Sequence, residues 1–195
     1  MTKKPLIFPA IPAGRRMNIT CEHALSACLC YKSNRFFDTL PIKFLAGVSL
    51  ISGARRMLMQ MFFDTKASHI LFVDDDMLPF TDDAVKLLLD ADKPVISGMS
   101  CSKHLDTKLV HRPLLSDEEE EARVFGEYPF QVETSGLAFT LIQRDPLHRL
   151  LVHCGDKEMP FQPMMYAGDY EGEDGAFCRR MNRIGYSVWY HPKAV

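Results

Sequence analysis

Strand-like and helix-like segments alternate along the first half of the chain, and this alternation is the strongest constraint on the fold. Residues 6–12, 70–73 and 95–98 are short apolar runs with β-branched and aromatic side chains, which is typical of buried strands. Apolar residues recur at helical spacing in the stretches between them, at residues 18–29, 54–62 and 81–90. The pattern predicts an α/β fold with a mostly parallel central sheet flanked by helices.

The predicted helices have defined starts and apolar faces. The first begins at about Asn18, and its face is formed by Cys21, Ala24, Leu25, Cys28 and Leu29. The second follows Gly47 and Gly53, and its predicted buried residues are Ala54, Met57, Leu58, Met61 and Phe62. The third starts at the N-cap sequence Thr81-Asp82-Asp83 and stops before Pro94.

Composition limits the class of protein. A length of 195 residues fits one domain with its own core, and a net charge of -2 gives no overall bias toward nucleic acid or anionic membranes. No apolar stretch approaches the roughly 20 residues that cross a bilayer, and the N-terminal sequence does not resemble a signal peptide, so we expect a cytoplasmic protein. The six cysteines lack the spacing of zinc sites or disulfide frameworks, and we interpret most of them as reduced, buried side chains.

Three consecutive aspartates, Asp74, Asp75 and Asp76, follow the apolar run at residues 70–73. They place dense negative charge at the carboxyl end of a predicted strand, where the ligands of α/β sheets bind. Adjacent carboxylates repel each other, but hard cations such as Mg2+ and Mn2+ need such oxygens and usually bind substrate phosphates as well. The triplet therefore indicates either a divalent-cation site or an acidic turn that caps the next helix.

A second acidic pair, Glu173 and Asp174, opens a helix that is predicted to run to Ile184 and to end at Gly185. At about 100° per residue, Asp174 lies near the centre of the apolar stripe of this helix and Glu173 lies nearer its edge. The stripe comprises Phe177, Cys178, Met181 and Ile184, and the opposite face carries Arg179, Arg180 and Arg183. An inward carboxylate at a helix N-terminus serves as a cap, as a base that accepts a proton from a hydroxyl, or as both.

The order of these motifs resembles that of the family 2-like glycosyltransferases with the GT-A fold, which use nucleotide-sugar donors. Residues 70–77 resemble the strand and DxD motif of that family, and residues 172–174 with the following helix look like its ED motif. Two further stretches are similar to the intervening strands that border the sugar site, residues 95–98 and 135–142. The resemblance covers about residues 47–191 and implies a Rossmann-like, nucleotide-diphospho-sugar transferase fold.

The resemblance implies a single domain over residues 1–195, with a nucleotide and metal half at about 1–100 and an acceptor and catalytic half at about 101–195. It implies a Mn2+ or Mg2+ ion held by Asp76 and Asp74, with His191 as a further candidate ligand. The alternative for His191 is a histidine that ends a strand. Because alternate residues of a strand face opposite ways, we expect Asp75 to adjoin the site rather than to bind the ion.

The resemblance also assigns the catalytic and nucleotide-binding residues. Asp174, or less favourably Glu173, would accept the proton of the acceptor hydroxyl. The nucleotide site would include residues from five segments: Pro9, Arg55, Asp74 with Asp75, Gly98 and Gly136.

The implied function is metal-dependent transfer of a sugar from a nucleotide-sugar donor, with a UDP-sugar expected, to an acceptor hydroxyl. The acceptor is left open between a glycan, a small molecule and a hydroxymethylated DNA base, because an arginine count does not separate a diphosphate donor from a DNA backbone. One alternative is a nucleotidyltransferase of related fold, although no Gly-rich, Lys-bearing phosphate loop supports it. The other is a non-catalytic sugar- or nucleotide-binding module. The expected location is the cytoplasm of a bacterium or of a virus-infected host cell.

Overall fold

The computed structural model describes residues 4–13, 25–26, 29, 35–77, 81–99, 111–113, 123, 126–155 and 158–194. Within these residues the order of elements is β1 (Leu6–Pro12), β2 (Asp38–Thr39), β3 (Lys43–Leu45), α1 (Ile51–Phe63), β4 (His69–Val73), α2 (Ala84–Asp90), β5 (Val95–Gly98), β6 (His111–Pro113), β7 (Phe130–Ser135), β8 (Phe139–Gln143), α3 (Arg144–Cys154), β9 (Met164–Tyr166), β10 (Asp169–Glu171), α4 (Glu173–Arg183) and β11 (Val188–His191). The three strands predicted in the first half are confirmed. Most of the helix predicted at residues 18–29 lies outside the described residues.

The main sheet has the order β2-β1-β4-β8-β5-β11-β7-β6, with β3 also paired to β1. Most of its strands run in one direction, as predicted, but β8 lies antiparallel between β4 and β5, and β7 lies antiparallel to β11. The α/β fold is confirmed and the sheet is mixed. β7 and β8 are separated in the sheet by β5 and β11, and both run opposite to the other strands. Only residues 136–138 connect them in the chain.

Both faces of β4 are covered, which explains its uninterrupted apolar sequence. Ile70 and Phe72 belong to the core formed with α1, α3 and α4, whereas Leu71 and Val73 belong to the core formed with α2. All four side chains are fully buried, and each such burial stabilises the fold by about 1.5 to 3 kcal/mol. β4 is therefore a well-anchored strand that carries the aspartate triplet at its carboxyl end.

α1 buries only part of the predicted face: Ala54, Leu58 and Phe62 are buried as predicted. Met57 and Met61 are 42% and 39% exposed, so their predicted place in the core is wrong. Arg55 and Met59 are buried instead. The helix begins at Ile51 and turns the set of residues 55, 58, 59 and 62 toward the sheet.

None of the helices in the described part of the chain combines the length and the hydropathy that crossing a membrane requires.

Gly98, at the end of β5, lies against the last described residues of the chain. The N–H of Met99 donates a hydrogen bond to the carbonyl of Ala194 at 2.7 Å. A Cβ atom on Gly98 would overlap that carbonyl and would lie 2.9 Å from Cε1 of Phe139. We therefore expect Gly98→Ala to lower the free energy of unfolding by about 1 to 3 kcal/mol, measured by urea denaturation.

Gly53→Ala is the matched control for this prediction. Gly53 lies inside α1, and a Cβ atom there would meet Cγ1 of Val48 at 3.3 Å, a side-chain contact that a small shift relieves. Alanine favours helices over glycine by about 0.8 to 1 kcal/mol, so this variant should be neutral or slightly stabilised. Equal stability of the two variants would contradict the tight backbone contact at Gly98.

Candidate functional site

Arg55 connects the two acidic motifs. Its side chain is 0% exposed; Nη2 donates to Oδ1 of Asp74 at 2.9 Å, and Nη1 donates to Oε1 of Glu173 at 3.1 Å and to Oδ1 of Asp174 at 2.5 Å. Burial lowers the pKa of Arg55, but Asp174, Asp74 and Glu173 together raise it above its ordinary value, so the guanidinium stays charged. One buried cation and three carboxylates thus form a single cluster.

The aspartate triplet lines a cleft of about 330 Å³. Asp74 still follows the sheet, because its N–H donates to the carbonyl of Ala138 at 2.8 Å, and the N–H of Met77 then donates back to the carbonyl of Asp74 at 3.1 Å. Asp75 and Asp76 therefore lie in a turn, where the alternation of a strand does not apply. All three side chains line the same cleft, with Asp76 exposed and the other two half-buried.

The rest of the cleft wall comes from the end of β1 and the start of α1, namely Pro12, Ala13, Val48, Ser49, Ile51 and Ala54. Leu50, the N-cap residue of α1, supplies no side-chain cap. The positive end of the helix dipole is therefore directed toward the cleft, which favours an anion there. Pro9, predicted to belong to this site, is buried inside β1 beside Leu71, three residues before the wall.

Glu173 and Asp174 form the first turn of α4, and the N-cap residue before them is Gly172, which has no capping side chain. The Asp174 carboxylate accepts hydrogen bonds from Arg55 and from the N–H of Leu137. Burial raises the pKa of Asp174 to about 6, with Arg55 opposing this shift and Glu173 adding to it. A carboxyl group with a pKa near neutrality is suited to accepting a proton from a substrate and releasing it again.

The link between β7 and β8 contacts both acidic motifs through its backbone. The carbonyl of Ala138 accepts from Asp74, and the N–H of Leu137 donates to Asp174. Gly136, predicted to border the nucleotide, precedes these two residues. Its carbonyl accepts hydrogen bonds at 3.2 Å from two buried hydroxyls, those of Ser97 and Thr140. Sequence reasoning missed Leu137 and Ala138 because backbone contacts leave no side-chain signature.

His191 and Gly98 are paired across β11 and β5, and neither is among the described residues that line the cleft. The side chain of His191 is 4% exposed, and its Nδ1 accepts a hydrogen bond from the N–H of Lys193 at 3.2 Å. Burial lowers the pKa of His191, so the imidazole is neutral near pH 7. Because Nδ1 accepts this hydrogen bond, the proton of the neutral ring lies on Nε2, and neither nitrogen offers a free lone pair to a metal ion in this arrangement.

The arginines that the helical wheel places opposite the apolar stripe of α4 differ in exposure. Arg179 and Arg180 are 6% and 3% exposed, whereas Arg183 is 46% exposed. Arg179 donates to Glu133 and, at 3.3 Å, to Oε2 of Glu171, and Arg180 donates to Oε2 of Glu158 at 3.1 Å. Carboxylates from β7, β10 and the segment after α3 therefore cover Arg179 and Arg180.

The donor atoms of the cleft fit a hard divalent cation. Among the described residues, no three His, Cys, Asp or Glu side chains are arranged to hold a metal ion by themselves. The carboxylate oxygens of Asp74 and Asp76 nevertheless suit Mg2+ or Mn2+, which are commonly bound by one or two carboxylates together with water and substrate phosphates. A metal ion at this cleft would therefore need a phosphate-bearing ligand to complete its coordination.

Comparison by sequence identifies no relative, since no protein family model and no curated protein matches the chain.

Comparison by structure identifies several solved proteins of similar fold. A197 from STIV superposes with a TM-score of 0.56 at 16% identity, over 96% of this chain and 81% of that chain. GalNAc-T7, solved with UDP, GalNAc and Mn2+, superposes with a TM-score of 0.57 at 10% identity, over 95% of this chain and 42% of that chain. A 4-diphosphocytidyl-2C-methyl-D-erythritol synthase from Anaerococcus prevotii DSM 20548 gives a TM-score of 0.50 at 8% identity, over 96% of this chain and 88% of that chain.

These identities establish the fold and not the activity. This chain spans less than half the length of the GalNAc-T7 chain. The fold that it shares with these proteins is a Rossmann-like α/β fold with a mixed central sheet.

Proposed function

We propose that the protein is a metal-dependent glycosyltransferase that moves a sugar from a nucleotide-sugar donor, with UDP as the expected nucleotide, to an acceptor hydroxyl. The observation that carries this proposal is the Arg55 cluster, which joins Asp74 of the first acidic motif to Glu173 and Asp174 of the second. Two motifs that are about a hundred residues apart in the chain thereby form one site. That site lies beside a cleft suited to a diphosphate.

The donor half of the proposed site is the cleft. Asp76 and Asp74 would hold Mn2+ or Mg2+, and the uncapped N-terminus of α1 would face the diphosphate. A bound metal ion supplies positive charge that stabilises the departing nucleoside diphosphate. Pro12 and Ala13 at the end of β1 supply the apolar part of the wall.

The acceptor half of the proposed site is the N-terminus of α4. The acceptor oxygen attacks the anomeric carbon, the bond from that carbon to the diphosphate oxygen breaks, and the hydroxyl proton passes to Asp174. A pKa of about 6 leaves Asp174 mostly ionised at pH 7 and still able to take up a proton. The hydrogen bonds from Arg55 and Leu137 fix the orientation of this carboxylate.

The same cluster argues against nucleotidyl transfer, the second candidate. In that reaction an acceptor phosphate attacks a nucleoside triphosphate, so two anions must approach each other and cations are needed around them. Here Glu173 and Asp174 surround the acceptor side, and Arg55 is already paired with carboxylates. A carboxylate base is useful to a hydroxyl acceptor and repels a phosphate acceptor. Release of pyrophosphate from a nucleoside triphosphate would identify the second candidate.

A thermal-shift experiment tests the donor site. The protein is titrated with UDP, GDP and CDP, each with and without Mn2+ or Mg2+. At about 100 times Kd a ligand stabilises the folded state by about 2.7 kcal/mol, which raises the Tm of a chain of this size by about 5 to 10 °C. We expect the shift to require metal and nucleotide together. Absence of a shift with every combination would contradict the proposed function.

Asp76→Asn is expected to reduce that shift by at least about half. The substitution replaces an exposed, charged metal ligand with a neutral amide, and the expected loss in affinity for the metal and nucleotide is at least about tenfold. The stability of the free protein should be unchanged or slightly higher, because one of three adjacent carboxylates is neutralised. The matched control is Asp64→Asn at the C-terminus of α1, the opposite end from the cleft, which should retain the full shift.

A further inference from the structure

A short hairpin precedes the helix that carries Asp174. β9 and β10 pair in register, and their two-residue turn contains Ala167 and Gly168, both with positive φ, at 52° and 92°. This is the turn geometry that matches the twist of a tight hairpin. Residues 164–171 thus form an ordered two-stranded element.

The outer face of the hairpin is apolar and exposed. Met165 and Tyr170 are directly paired across the two strands, and they are 64% and 71% exposed. Cross-strand partners project from the same face of a hairpin. Two adjoining, exposed apolar side chains on such a face are typical of a contact surface for a ligand.

The inner face of the hairpin is fixed to α4. The guanidinium carbon of Arg179 lies 3.8 Å from the ring centroid of Tyr166, and its Nε donates to Oε2 of Glu171 at 3.3 Å. The carboxylate of Glu171 also lies directly over Gly175, where a Cβ atom would overlap it. Glu171 of β10 thus contacts two residues of α4, at positions 175 and 179, that lie one turn apart. The hairpin and the N-terminus of α4 therefore have a defined relative position.

This anchoring places the outer face within reach of the proposed base. Tyr170 precedes Asp174 by four residues, so their Cα atoms are at most about 14 Å apart even for an extended chain. One hexose ring is about 5 Å across, and a disaccharide or the body of a small glycoside spans the remaining distance.

The charges around this region distinguish between classes of acceptor. The carboxylates of Asp169, Glu171, Glu173 and Asp174 lie on the hairpin and the first turn of α4. Among the described residues, the arginines that contact these carboxylates are Arg55 and Arg179, and each is shared between two or more carboxylates. A donor diphosphate and its metal ion neutralise each other, so this negative charge would repel a polyanionic acceptor such as DNA.

We infer that Met165 and Tyr170 form the acceptor platform and that the acceptor is a neutral sugar, whose ring stacks on Tyr170 and directs one hydroxyl to Asp174. This inference rests on the proposed function. Of the acceptor classes considered from the sequence, it selects an uncharged glycoside and rejects modified DNA. The aromatic ring supplies a large, rigid and amphipathic surface of the kind that binds the apolar face of a ring.

The test compares acceptors and variants in one assay with a radiolabelled UDP-hexose and Mn2+. The acceptors are a panel of neutral p-nitrophenyl glycosides, the corresponding uronic acid glycosides, and a single-stranded DNA oligonucleotide with hydroxymethylcytosine. We expect label to enter a neutral glycoside at least about tenfold faster than the charged acceptors. Tyr170→Ala should raise KM for that glycoside about tenfold, Tyr170→Phe should restore it, and KM for the donor should be unchanged.

The controls separate this inference from the proposed function. Met57→Ala changes an exposed methionine on α1 and should leave both KM values unchanged. Absence of a thermal shift in the wild-type protein with every nucleotide and metal ion tested would remove the proposed function itself. If that shift is present, the inference is overturned by faster transfer to DNA or to uronic acid glycosides, by no transfer to any neutral glycoside, or by an unchanged acceptor KM in Tyr170→Ala.

Discussion

Replacing Arg55 with alanine is expected to lower the free energy of unfolding by about 3 kcal/mol, as found when one partner of a buried ion pair is removed. The guanidinium is fully buried and is shared by Asp74, Glu173 and Asp174, whose side chains are 23%, 25% and 31% exposed. Without it, the three carboxylates repel each other, and water that reaches them offsets only part of that repulsion. Urea denaturation at pH 7 measures the change.

The neighbouring Arg56 provides the control for this prediction. Arg56 is exposed, and its contact is a hydrogen bond from Nη1 to the sulfur of Met159 at 3.2 Å. Arg56→Ala should therefore change stability by no more than about 0.5 kcal/mol. Equal destabilisation by the two substitutions would show that Arg55 does not hold the two acidic motifs together. Arg55→Lys is expected to recover little stability, because one ammonium group lacks the planar fork that reaches three carboxylates.

Asp174→Asn is expected to lower kcat for sugar transfer by about 10³-fold, the typical contribution of a general base. The amide preserves the size of the side chain and its hydrogen bond from Leu137, but it cannot accept the proton of the acceptor hydroxyl. Glu173→Gln removes the adjacent carboxylate and should cost less than about tenfold, since Glu173 is the less favoured base. A larger loss of kcat in Glu173→Gln than in Asp174→Asn would identify Glu173, and not Asp174, as the base.

The raised pKa of Asp174 gives two opposite pH effects. The base must be ionised, so the transfer rate should fall as the pH drops below about 6, and this fall should be absent from the residual activity of Asp174→Asn. The free energy of unfolding depends on pH in the opposite sense: the contribution of Asp174 increases as the pH drops. Because the pKa in the folded protein lies above the ordinary value of 3.8, the contribution of Asp174 to stability is fully present below about pH 4 and is lost as the pH rises through about 6. Unfolding curves of the wild-type protein and of Asp174→Asn between about pH 4 and pH 7 would show whether this pH dependence of stability belongs to Asp174.

Much of the architecture could be predicted from the sequence because its signals are local. β4 is apolar on both faces and is followed directly by the aspartate triplet, so the strand and the position of its charged end were predictable. The helix after Gly172 was predictable from its acidic first turn and from Gly185, which has φ of 86° at the C-terminal end. β7 was missed because its alternating sequence is short and follows a segment without periodicity.

The environment of the charged side chains could not be predicted in the same way. Arg55 is buried because of partners that lie 19, 118 and 119 residues away in the chain. Arg179 lies on the polar face of its helix by any helical wheel, yet it is covered by Glu133 of β7 and Glu171 of β10. The hydrophobic period of a helix identifies the face that packs on the sheet, whereas a charged face is buried only when tertiary structure brings counter-charges to it.

A doubly labelled donor tests the proposed function most directly. A UDP-hexose with carbon-14 in the sugar and phosphorus-32 in the α-phosphate is incubated with the protein, Mn2+ and three kinds of acceptor: neutral glycosides, uronic acid glycosides and hydroxymethylated DNA. Glycosyl transfer predicts that carbon-14 enters an acceptor while phosphorus-32 remains in UDP, and that Asp76→Asn and Asp174→Asn each reduce the transfer. Retention of both labels in the donor with every acceptor, or movement of phosphorus-32 into an acceptor, would contradict a glycosyltransferase.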